Sequence, residues 1–131
     1  MKRQKYPKNI ESAEKAAKLT LRLWKELEKG IANGNFKQQR LKAVEDYYGC
    51  YDITVIKAMI IGHEFYKFNC PLCHVYDNSE SSWNHECGNC PLEIFKKGYY
   101  TGCMEIGYDN WMNLSQVKRF RKNLEKALKD V

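Results

Sequence analysis

The chain has no apolar run long enough to cross a membrane. Its longest, Ile53 to Ile61, spans nine residues and contains Lys57. The charged start, Met1-Lys2-Arg3-Gln4-Lys5, is not followed by the apolar segment of a signal peptide, so a cytoplasmic location is expected. Proline occurs only at positions 7, 71 and 91, which leaves long stretches open to helix. There is no internal repeat and no low-complexity tract. A Gly-rich phosphate loop, a Gly-x-Ser-x-Gly elbow and a His-Glu-x-x-His helix are all missing. A zinc deaminase is excluded too, because Glu64 directly follows His63 and no Pro precedes Cys70. No nucleophile, base and orienting group stand together, and the expectation is that the protein is not an enzyme.

What is present is a single domain's worth of chain, 131 residues with 44% apolar content, enough for a real core. Formal net charge is +6, unevenly placed. Residues 1–45 hold twelve Lys/Arg against five Asp/Glu, residues 46–100 four against seven, and residues 101–131 six against four. Basic ends of this kind suit nucleic acid or an acidic protein face, and equally serve as solvated helix surfaces.

Apolar spacing predicts an amphipathic helix over residues 10–30, with Asn9 or Ser12 as cap and Gly30 as stop. A second helix is expected over 36–48, joined to the first by a short turn as an antiparallel hairpin. Periodicity does not decide the run from Ile53 to Ile61. Asp52 before it and Gly62 after it favour a helix, buried on all sides. A last amphipathic helix is expected from Leu114 to Val131, capped by Asn113 or Ser115. Residues 63–110 show no period and would need something other than secondary structure to order them. The expected architecture is mainly α. An N-terminal helical part, 10–62, and a C-terminal helix, 113–131, pack around a loop-rich metal-binding module, 63–110, with a small irregular or β component, all within one domain, 1–131.

Six cysteines in a chain with no export signal read as ligands and thiols rather than disulfides. Cys70-Pro71-Leu72-Cys73 is followed, thirteen residues later, by Cys87-Gly88-Asn89-Cys90-Pro91. Two C-x2-C knuckles at this separation supply the four thiolates of a tetrahedral site. Cys70, Cys73, Cys87 and Cys90 are therefore the expected metal ligands, with Cys103, His85 and His74 as alternates. Zn2+ is the first expectation for four thiolates. An iron–sulfur cluster is the competitor, since Pro follows the last ligand in ferredoxin-type runs, and Cys-Pro-Leu-Cys also resembles the iron knuckle of rubredoxin. Four protein ligands close the sphere, which makes the site structural rather than catalytic. Cys50 is expected as a buried free thiol.

The stretch running through Cys70-Pro71-Leu72-Cys73, Cys87-Gly88-Asn89-Cys90-Pro91-Leu92, Thr101-Gly102-Cys103, Tyr108 and Trp111 resembles a pattern found in small cysteine-rich proteins of bacteriophages and mobile elements. Gly107-Tyr108 stands where that pattern has Thr-Pro-aromatic. The resemblance implies a phage-type origin and a bound metal, and no particular activity. A phage-type zinc protein of this size would dock on a host protein or ribonucleoprotein complex, for instance as an inhibitor of a bacterial defence effector (an anti-CRISPR protein) or a modulator of transcription. Tyr76, Trp83, Tyr99, Tyr100, Tyr108 and Trp111 are the candidate contact aromatics. The alternative is a zinc-containing regulatory protein that binds nucleic acid through basic faces. Lys118, Arg119, Lys122 and Lys126, with Lys2, Arg3, Lys5 and Lys8, would meet phosphates.

Overall fold

The computed structural model describes residues 12–41, 49–62, 70–76 and 107–129, with backbone alone for Cys73, His74 and Tyr76. Within these residues the protein is mainly helical. Helix α1, Ala13–Ala32, starts where Ser12 Oγ accepts the Lys15 amide at 3.2 Å. It buries Ala16, Ala17, Thr20, Leu23, Trp24, Leu27 and Ile31 along one stripe. Thr20 is accommodated there because its hydroxyl donates to the Ala16 carbonyl at 2.8 Å.

Gly30 does not end the helix, as its sequence position suggested. It is a buried helical residue, and the chain turns only beyond Ala32, through Gly34 at φ +78°. The glycine is needed for space: a Cβ on Gly30 would run into the Phe36 ring at Cε2. Phe36, 1% exposed, folds back over the helix at that point.

The expected second helix over 36–48 is not formed across its described part, residues 36–41. Lys37–Gln39 make one 3-10 turn, and Arg40 is extended, bridging to Tyr51, while Leu41 N–H donates to the Cys50 carbonyl. Backbone pairing to residues 50–51 wins over helical spacing here. Residues 42–48 lie outside the described residues.

Strand β1, Tyr51–Asp52, leads straight into helix α2, Ile53–Ile61. Asp52 Oδ1 accepts the Val55 amide at 3.3 Å, and Gly62 closes the helix at φ +77°. The helix is not buried all round. Ile53, Ile56, Lys57, Ile60 and Ile61 face the core, while Thr54 and Val55 are exposed. Helix α3, Pro71–Tyr76, was not expected within the irregular stretch.

Strand β2, Trp111–Met112, pairs antiparallel with β1, Tyr51 opposite Met112 and Asp52 opposite Trp111. Helix α4, Leu114–Ala127, follows at once. Asn113 and Gln116 satisfy each other's amides, at 2.9 and 2.8 Å, in a reciprocal capping box. The helix gives way to a turn at Leu128, short of the expected end at Val131, which lies outside the described residues.

One core joins these elements. α1 lies against α4, α3 and α2. Leu23, Leu27, Ile53, Ile56, Ile60, Leu72, Met112, Val117 and Leu124 are all essentially sealed from solvent. Each such side chain contributes about 1.5–3 kcal/mol of transfer free energy. Arg121 stitches α4 to α1, its Nε donating to Glu28 Oε2 at 2.7 Å and its Nη1 to Glu125 at 3.2 Å. Hydrogen bonding to Glu28, ahead of every other influence, raises the guanidinium pKa above its ordinary value. No helix among the described residues is long and apolar enough to cross a membrane.

Candidate functional site

Two surfaces follow from this frame: the cysteine knuckle and the outer side of α4.

The first knuckle sits on α3. Cys70 directly precedes Pro71, which opens the helix with the fixed φ a first helical position favours. Cys73 lies three residues on, in the first turn. Between them Leu72 is fully buried in the shared core, and Pro71 is buried beside it. The knuckle is thus anchored by its own middle residues. Cys70 is half-buried and carries no disulfide. A thiol so placed, next to a rigid turn, has the donor chemistry a soft divalent ion requires.

Of the other expected ligands, Cys87 and Cys90, with the alternates Cys103 and His85, lie outside the described residues. Cys73 and His74 are described by backbone alone. Among the described residues no three His, Cys, Asp or Glu side chains come together as a metal site.

Cys50 is buried and free, as its sequence setting suggested. Burial, and then the negative charge of Asp109, push its thiol pKa up. That is the opposite of an activated nucleophile.

The aromatic candidates separate. Tyr108 works within the fold. Its ring meets Trp24 edge-on at 6.0 Å and Phe120 at 5.8 Å, and Trp24 and Phe120 themselves lie 4.3 Å apart. Its hydroxyl accepts from Lys57 Nζ at 2.8 Å and donates to Asn110 Oδ1 at 3.2 Å. Trp111 is half-buried in the β-ladder, and its amide donates to Asp109. Tyr76 closes α3, while Trp83, Tyr99 and Tyr100 lie outside the described residues. Lys57, 6% exposed, is the polar residue that sequence reading passed over. Its place with Ile53, Ile56 and Ile60 in the i, i+3, i+4 series was the available signal.

The basic candidates on α4 fare differently. Lys118, Arg119, Lys122 and Lys126 are all exposed, and Lys129 beyond them is exposed too. At 100° per residue the four on the helix fall within roughly 100° of its circumference, opposite Val117, Phe120 and Leu124, and Lys129 lies in the turn that follows. None of them has an ion pair among the described residues. Among the described residues, the carboxylates on α4 and on the facing part of α1 are committed elsewhere. Glu125 holds Arg121 and, at 3.7 Å, Lys25, and Glu28 holds Arg121. On α1, Lys18 pairs with Glu14 and Arg22 with Glu26. The basic N-terminal group, Lys2, Arg3, Lys5 and Lys8, lies outside the described residues.

No family model matches the chain, and no curated protein or solved structure matches it either.

Proposed function

We propose that this is a small metal-stapled binding protein, not an enzyme, that docks on a larger macromolecular assembly of a host cell and modulates or inhibits it. The observation that carries this reading is the outer side of α4. It is a capped helix face bearing four exposed basic groups, with Lys129 exposed in the turn beyond, and none of the five has an ion pair among the described residues. An exposed patch of one sign draws an oppositely charged partner and speeds its capture. The resemblance of the cysteine-rich stretch to phage proteins supplies the setting: the host cytoplasm, with a defence effector or the transcription apparatus as the assembly.

In this reading the metal centre is architecture. Cys70, Cys73, Cys87 and Cys90 hold Zn2+, which orders the insert while Leu72 ties it to the frame. An iron–sulfur cluster on the same thiolates would do the same mechanical work.

A pull-down from bacterial lysate tests the docking. The wild-type chain is expected to retain a defined assembly that a Lys118→Glu, Lys122→Glu variant, still folded by circular dichroism, does not. Equal recovery by both chains overturns the assignment to α4.

A further inference from the structure

Resting on that docking reading, we infer that the α4 face contacts the phosphate backbone of a nucleic acid, without reading its sequence, rather than an acidic protein surface. The composition of the face decides between the two. Lys118, Arg119, Lys122, Lys126 and Lys129 are joined on that side by Ser115, with no aromatic or large aliphatic side chain between them. Protein interfaces work the other way round. They are depleted in Lys, and their affinity comes from aromatic and Arg anchors set in desolvated pockets. A row of lysines with no apolar anchor gains little from a flat protein partner, where each pair stays hydrated.

A phosphate chain suits the same row. From Lys118 to Lys126 the stripe runs along about 12 Å of helix axis, with Lys129 in the turn beyond, a length over which duplex DNA presents one charge per ~1.7 Å. Each contact releases condensed counterions, a gain that needs neither burial nor shape matching. Four of the five groups are flexible lysines, which suit sequence-independent phosphate contact better than bidentate base recognition. The helix is also held for the task. Phe120 and Leu124 seat its opposite side in the core, and the Arg121–Glu28 pair fixes it against α1.

The test is fluorescence anisotropy of the full metal-loaded chain with labelled single- and double-stranded oligonucleotides of mixed sequence, titrated across salt. Five contacts give a slope of log K against log salt of about −3.5 for single strands and −4.5 for duplex. A Lys122→Ala, Lys126→Ala variant is expected to lower the steepness by about two. A Lys15→Ala, Lys18→Ala variant, with the same change in net charge on α1, is expected to leave it unaltered. Circular dichroism confirms that both remain folded. A slope near zero, or equal losses in the two variants, overturns the inference. So does competition by polyglutamate as effective, charge for charge, as that by the oligonucleotide. A nuclease-resistant protein assembly whose recovery depends on α4, from a chain that shows no oligonucleotide binding, overturns this inference while leaving the docking reading intact.

Discussion

Lys57 Nζ donates to the hydroxyl of Tyr108 at 2.8 Å and lies 4.3 Å from the centre of the same ring. The pair joins α2 to the segment that leads into β2, and Asn110 extends it to Thr54. A buried ammonium depends on such partners, because leaving a buried polar group unsatisfied costs more than the bond itself is worth. Tyr108→Phe is therefore expected to lower stability by about 1–3 kcal/mol. The double change Lys57→Met, Tyr108→Phe should cost less than the sum of the two single changes. Urea denaturation of the four proteins measures the coupling, and strict additivity would show that the contact has no energetic role.

Gly30→Ala makes a prediction against propensity. Alanine favours a helix interior by about 1 kcal/mol over glycine. Here its Cβ would meet the buried ring of Phe36. Overpacking of this kind costs about 1–3 kcal/mol. A net loss of stability is expected, and adding Phe36→Leu should recover part of it. A Gly30→Ala protein that melts higher than wild type would refute the close packing.

Cys50 gives a dependence on pH. Its thiol pKa is raised in the folded state, by burial first and by Asp109 second. The folded state thus holds the proton more tightly than the unfolded one. The stability at stake is therefore the part held below the unfolded thiol pKa, near 8.5. Below that pH the thiol is protonated in both states and its contribution to stability is fully retained. As pH rises through and beyond it, the unfolded chain ionises first and stability falls. Denaturation midpoints of wild type and Cys50→Ala, compared between pH 7 and 10, should show a steeper decline for the wild type. Alkylation of Cys50 should also be slower in the native protein than in urea.

Metal removal should act through the core. Elemental analysis is expected to find one zinc per chain in a colourless protein. Strong visible absorbance would instead assign iron. A chelator should lower the melting temperature of the wild type, and Cys70→Ser should reproduce that loss. Leu72→Ala, which opens a cavity beside the knuckle, should cost about 2–5 kcal/mol and weaken metal retention with it. Unchanged stability after complete metal removal would sink the structural role.

Helices α1, α2 and α4 were legible in the sequence because each carries its own signals. Asp52 and Gly62 bracket α2, and Asn113 with Gln116 opens α4. The end of α1 was misread because Gly30 answers to Phe36, six residues away, rather than to a local turn. The stretch after Phe36 was misread for a related reason. Arg40 and Leu41 take their backbone partners from Tyr51 and Cys50, and helical spacing carries no trace of such pairing. On the candidate site, the exposed basic residues of α4 stood where the amphipathic pattern put them. What that pattern does not encode is neutralisation. Arg121 lies among them in sequence and is taken up by Glu28, 93 residues earlier.

That same span from Glu28 to Arg121 sets a timetable for the newborn chain. The apolar stripe of α1, with Leu23, Trp24 and Leu27, is synthesised some 90 residues before Val117, Phe120 and Leu124 emerge to cover it. At cellular elongation rates the stripe waits roughly 5–20 s without its main cover. Contacts so distant along the chain also slow the final closure. During that interval the nascent chain is a natural client for chaperones.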